Sequence, residues 1–358
     1  MDKTMLPNMR SATVAPEASA TRHGRTFSSL GHQAVVVGLI LLLGLSVYLV
    51  NPKFLSAYSI DNILRMASIY GIVALGMTLV IITGGIDLSA GSMMALGAAL
   101  GAGLLGTAFG AANPVQLTPA LAILAALAVT GLIGMLNGVA VGHLRIAPFV
   151  VTLGMLTVSR GLTFIFADYV VQSVPGSAIT FSDPLFDWMG AESFGPVPTA
   201  TVLFLALAAL LAAVLRHTHL GREIYAIGGD AEIARLSGIN VPRVIMVVYG
   251  LMGVLAALSG IVLAGRLSSV SPLMAVGYEL DIITIVIVGG ASLAGGRGTI
   301  LGSVLAAVLI SMIDAGLNMM NVPSFYQYLV KGSVLLAAVI VDQWYRRRHA
   351  ARSALRSA

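Results

Sequence analysis

The chain predicts an all-α, polytopic membrane fold of about ten transmembrane helices with a weak internal parallel repeat. Three observations lead there. Of 358 residues, 58% are hydrophobic and 10% charged, and the mean hydropathy is +0.95; a soluble domain is nearer half apolar and a quarter charged. The apolar residues fall in runs close to the roughly 20 needed to cross a hydrocarbon core. Forty glycines suit helices packed closely through small residues. No soluble fold of this size hides that much apolar surface, so the bilayer is the solvent. Cysteine is absent, which excludes a disulfide framework and thiol-ligated metal. The net charge of +5 is a matter of loop topology and does not point to nucleic acid.

Residues 1–33 are polar and basic, and read as a disordered tail ahead of a transmembrane domain at 34–342; residues 343–358 form a second basic tail. The first span is Ala34–Val50, with no small-x-small cleavage site after it, so it reads as uncleaved. The next spans are Ala67–Gly85, Gly91–Phe109, Pro119–Gly142, Phe149–Ala167 with Arg160 inside it, and Val197–Leu215. Val244–Gly265, Ile282–Gly295, Gly298–Ile313 and Tyr326–Val341 complete the set. Lys331 interrupts the last one and is expected to snorkel to the outer surface.

Ten spans put both termini on one side. Fifteen of the twenty basic residues fall on that side, among them Arg145, Arg216, Arg243, Arg297 and Arg346–Arg348. The opposite side receives Asp61, Asp168, Asp183, Asp187 and Glu192. Basic loops mark the cytoplasm, so both termini are expected there. The outer loop 168–196 reads as a solvated connector or as a docking surface for an external partner.

Gly84-Gly-Ile-Asp-Leu-Ser-Ala-Gly91 returns as Gly289-Gly-Ala-Ser-Leu-Ala-Gly-Gly296, and Gly97 pairs with Gly302 at the same offset. Gly84, Gly85, Gly91, Gly289, Gly290 and Gly296 are therefore expected to break helices inside or at the edge of the bilayer. Freed backbone groups are tolerated there only in protein or beside a watery cavity.

The polar residues Thr83 and Asp87 at the first break, Asn137 in the fourth span, and Thr157 and Arg160 in the fifth are candidates for a translocation pathway. Asp87 reads alternatively as a carboxylate at the cytoplasmic edge, capping a helix that starts near Leu88. Arg160 must face the bundle interior or a partner, and pairing with a carboxylate such as Asp314 would serve packing alone. Asp314 and Asn318 read as the outer, interfacial end of the ninth span. The hydroxyls of the fifth span serve interhelical bonding as readily as a pathway. No P-loop occurs, so no ATP site is expected on this chain. No metal-ligand spacing or paired acid/base is found, which leaves no enzyme to propose.

The charged stretch Arg216–Arg243 stands apart. Asp230 suits an N-cap, Ala231–Ser237 two helical turns, and Gly238 their end. A short helix outside the bilayer, held between two spans, is a handle for something that docks on it.

Four segments in order, Ile82–Ser92, Leu136–Met155, Gly221–Gly238 and Val288–Thr299, resemble the permease subunits of bacterial ribose-type sugar ABC importers, the ribose/xylose/arabinose/galactose permease family. The resemblance covers residues 35 to 342. It implies a multi-pass protein of the bacterial inner membrane that imports a monosaccharide by alternating access. It also implies four partners: a second permease subunit, a cytoplasmic ABC ATPase that binds ATP-Mg, a periplasmic sugar-binding protein and the lipid bilayer. Asp230, Glu232, Arg235, Leu236 and Gly238 would belong to the coupling helix that meets the ATPase. Glu232 and Gly238 keep the spacing of that helix's signature, but Ile233 stands where alanine is usual. A branched-chain amino acid ABC permease and a stand-alone ion-coupled carrier are the alternatives. The carrier would need paired buried carboxylates along its path.

Overall fold

In the computed structural model, which describes residues 21–105, 116–172, 174 and 176–357, the chain is a bundle of α-helices. In chain order these are α1 (Thr21–Val50), α2 (Ala57–Ile82), α3 (Ala90–Gly103), α4 (Pro119–Gly142), α5 (Pro148–Val171), α6 (Pro184–Gly190) and α7 (Thr199–His217). They continue as α8 (His219–Gly229), α9 (Ala231–Leu236), α10 (Val241–Leu267), α11 (Tyr278–Val288), α12 (Ile300–Met319) and α13 (Ser324–Ser357). Strands are confined to two-residue pieces. β1 (Ile179–Thr180) pairs antiparallel with β4 (Ser269–Val270), and β2 (Ser193–Phe194) with β3 (Val197–Pro198).

α2 is the axis of the bundle. Its apolar residues run all round the helix, and such a helix must be enclosed by others; 94% of its apolar window is buried. α7, α10, α11 and α12 wrap it. α4 lies along α10 through Gly134, Gly138 and Gly142, where a Cβ would press on the backbone of Tyr249, Met246 and Pro242. Glycine every fourth residue clears one stripe of a helix and lets two backbones touch. Ser259 Oγ, donating to the Ile69 carbonyl at 2.6 Å, pins α10 to α2. α5 and α13 are peripheral and show long apolar faces.

The expected ten spans become eight long ones and two short ones. Among the described residues, eight helices are long and apolar enough to cross a membrane. α3 and α11 have 14 and 11 residues, about 21 and 17 Å at 1.5 Å per residue, against a hydrocarbon core of about 30 Å. Windowed hydropathy counts apolar residues, whether or not they are helical. It therefore ran past the end of α11 into the glycine turn at 289–295, while the end expected for the third span, Phe109, lies outside the described residues.

The N-terminal boundary differs too: helix begins at Thr21, inside the stretch expected as a disordered tail, and residues 1–20 lie outside the described residues. α13 likewise runs through the boundary at 343. The loop 168–196 is folded rather than a bare connector. Asp183 caps α6, Phe181 and Phe186 meet edge to face at 5.1 Å, and Arg65 of α2 donates to the Gly190 and Glu192 carbonyls.

Candidate functional site

Two ends of the bundle are distinguishable, one carrying Phe186 and the other Gly228. At the Gly228 end α8 and α9 lie outside the main bundle. Thr218 starts α8, and Asp230 closes it and starts α9 by accepting from the Glu232 and Ile233 amides at 2.8 and 3.0 Å. Gly238, at φ +87°, ends the turn after α9, a left-handed conformation that costs glycine little. Glu232 and Arg235 pair on the surface. Hydrogen bonding from Arg235 holds the Glu232 carboxyl below the usual carboxylate range, helped by Arg145 in the α4–α5 turn. Ala234 faces inward, while Ile233 and Leu236 stand 63% and 74% exposed. Two large apolar side chains on an uncovered helix outside the bundle form a surface that fits an apolar partner.

α8 fixes this helix to the core. Ile224 and Ile227 are buried beneath it, and Tyr225 donates to the Gly298 carbonyl at 2.8 Å. Gly228 reaches the junction itself: a Cβ there would overlap the Ile82 carbonyl and the Gly296 amide, which bond to each other at 2.8 Å. The end of α2, the turn before α12 and the end of α8 thus meet backbone to backbone. Gly84, Gly290, Gly295 and Gly296 all have positive φ, so both copies of the repeated glycine motif turn at this junction.

From the junction, Thr83–Ser89 re-enters the bundle without helical structure and α3 completes the crossing toward Phe186. The second broken crossing runs the other way: Ser271–Gly277 descends from β4, and α11 leads to the junction. Their half-helices begin against each other, because Gly91 at the start of α3 packs on the Ala275 carbonyl and the Glu279 carboxylate. Helix N-termini carry partial positive charge, and two of them converging inside a bundle, beside unwound backbone, can hold a polar or anionic group. Arg160 donates to the Pro272 and Met274 carbonyls at 2.7 and 2.9 Å, satisfying acceptors that the break sets free.

The structure brings Asp87 and Asn137 together and separates Thr157 from them. Asp87 is fully buried rather than at an edge, and it caps no helix. Its Oδ1 accepts from the Ser89 amide and hydroxyl, and Asn137 Nδ2 donates to the same hydroxyl at 3.2 Å. Thr83 bonds only within its helix end, to the Val80 carbonyl. Thr157 is exposed on α5 and bonds to the Gly154 carbonyl. Gly154 and Gly161, on the same helix, have open space where a Cβ would be.

The surroundings of Asp314 differ from the sequence reading. It is buried among helices; Lys331 is its partner, while Arg160 bonds to backbone carbonyls; and Lys331 turns into the bundle instead of snorkelling outward. Lys331 Nζ lies 2.9 Å from Asp281 and 3.1 Å from Asp314, and Tyr70 donates to Asp314 at 3.3 Å. Spacing hides this cluster, since its members come from α2, α11, α12 and α13. The available signal was Lys331 itself, a charge within a span that needed a named counter-charge.

Helices long enough to span, two half-helices meeting inside them, and an apolar helix surface outside the bundle define a multi-pass membrane transport subunit. The comparisons with known proteins agree. The family described as "Branched-chain amino acid transport system / permease component" matches residues 59–339. The chain is 40% identical to the ribose import permease of Escherichia coli (strain K12) over 315 residues, covering 87% of this chain and 94% of that one. It is 39% identical to the Bacillus subtilis (strain 168) ribose import permease over 307 residues, 86% and 91% of the two chains. A galactose/methyl galactoside import permease of Haemophilus influenzae is 33% identical over 331 residues, 90% and 97% of the two. No solved structure matches. The chain belongs to this permease family, as a relative of its ribose-type sugar members.

Proposed function

We propose that this chain is the membrane-spanning subunit of an ATP-driven importer that moves a monosaccharide, delivered by an external binding protein, across the bacterial inner membrane. The observation that carries the reading is the unbroken backbone route from the uncovered Ile233 and Leu236, through α8 and Gly228, to the ends of both broken crossings. A separate ATPase docks on α9, with ATP-Mg bound on that partner. Its closure displaces α8 and the junction, so that the half-helices exchange outward and inward access. Energy enters only through the partner's different affinity for the two permease conformations. The basic residues clustered at the Gly228 end favour that end, and both termini, as cytoplasmic.

The pathway follows the open edge formed by α5 and Ser271–Gly277. Ser271, Leu273 and Val276 are exposed there. Irregular backbone at mid-membrane depth does not face lipid, only protein or a water-filled cavity. A second permease subunit across that edge encloses it. Ribose is the first sugar to try, because the ribose import permeases match over nearly the whole chain; the same relatives weigh against a branched-chain amino acid. The test is uptake of radiolabelled ribose into vesicles holding the permease, its ATPase and its binding protein. Uptake that needs all three and ATP is the expected result. Uptake by the chain alone would select an ion-coupled carrier instead.

A further inference from the structure

We infer that the Asp281–Asp314–Lys331 cluster is a binding site for one additional monovalent positive charge, a proton or a sodium ion. The argument starts from counting. Two carboxylates converge on one ammonium at 2.9 and 3.1 Å, and the two acid side chains are 10% and 12% exposed. The groups that face them from every packed element are Tyr70 of α2, Tyr278 and Glu279 of α11, and Lys331 of α13. Tyr70 and Tyr278 are neutral, and the cation nearest Glu279 is Arg160 on α5. Lys331 therefore balances one acid and leaves one negative charge over, deep among apolar helices where an uncompensated charge is expensive.

One further observation points to an occupant. Asp314 Oδ1 is a buried acceptor with no hydrogen-bond partner, and buried acceptors are rarely left so. On the Asp281 and Lys331 side of the cluster lies a small apolar-walled cavity, also bounded by Thr284, Ile310, Ile313 and Val334, with about 10 Å³ of open volume, close to the least that holds a single water. One carboxyl as the neutral acid, or a sodium ion held between the two acids, supplies the missing charge. The site tethers α13 to the half-helix α11, so its occupancy sets how firmly the second broken crossing is held. This inference does not depend on what the chain transports.

The test uses the full-length chain in lipid nanodiscs, in sodium chloride against choline chloride. A proton is shown by an infrared carbonyl band of a protonated carboxylic acid at neutral pH that persists in choline. That band should be lost in Asp314→Asn or Asp281→Asn, each of which restores one acid to one lysine. Sodium is shown by a saturable rise in Tm, of about 5 °C, absent in choline and abolished by either variant. Two variants guard against one failing to fold. Absence of both signals in the wild type, or their survival in both variants, overturns the inference.

Discussion

The crossing built from Thr83–Ser89 and α3 is largely enclosed, with Gly84 its one exposed residue, whereas the one built from Ser271–Gly277 and α11 lies open along an edge. Both turn on glycines of one repeated motif, and both meet at Gly228. The first buries Asp87 among Ser89, Asn137 and Tyr249, with Gly97 pressed on Ala257. The second leaves Ser271, Leu273 and Val276 uncovered and rests its carbonyls on Arg160. Dense packing on one side and exposed irregular backbone on the other is the pattern of a fixed wall and a movable part. The two crossings thus differ in how closely neighbouring helices crowd their irregular segments, although both reach the junction through a copy of the glycine motif.

The largest effect should come from filling the shared junction. Gly228→Val puts a branched side chain into the Ile82 carbonyl, and the expected outcome is loss of the folded protein in expression and Tm. Gly154→Val and Gly161→Val, whose side chains would meet nothing within 4 Å, should leave Tm near the wild-type value. Equal damage from all three would erase the distinction between the closed junction and the open edge.

Arg160→Met comes next. It strands the Pro272 and Met274 carbonyls, at about 1–3 kcal/mol for each buried acceptor left unpaired. Amide hydrogen exchange should rise in residues 271–280 and stay unchanged in 83–89. A uniform rise would mean the two crossings do not behave as separate bodies.

Asp87→Asn should do little, within about 1 kcal/mol, because the amide oxygen can keep both Ser89 bonds and one buried charge is removed. A large fall in Tm would show that the charge itself holds the first crossing closed.

The smallest effect belongs outside the membrane. Arg235 lowers the Glu232 pKa, so this pair contributes above the usual carboxylate range and fades as pH falls through the lowered value. Wild type and Glu232→Gln should have the same Tm at neutral pH, since exposed pairs are worth little. Any small difference should vanish on acidification.

Much of this was legible in the chain. The apolar runs located the long helices, and Asp230 with Gly238 marked the limits of α9, since caps and positive-φ glycines act locally. The repeated glycines announced the first break and the turn after α11, but not the break at Ser271–Gly277, because a window of apolar residues reads the same whether its backbone is helical or extended. Arg160 was recognisable as a buried charge, yet its partners are backbone carbonyls, which carry no residue-type signal. The Lys331 cluster assembles from four helices, and only the tertiary fold makes its spacing visible.

The most direct measurement is sugar-stimulated ATP hydrolysis by the assembled importer carrying Leu236→Asp. Leu236 is 74% exposed, so the charge leaves the permease itself folded. If α9 is the surface that the ATPase grips, stimulation should be lost while the variant keeps its wild-type Tm in nanodiscs. Stimulation at the wild-type rate would contradict the proposed route from α9 through Gly228 to the broken crossings.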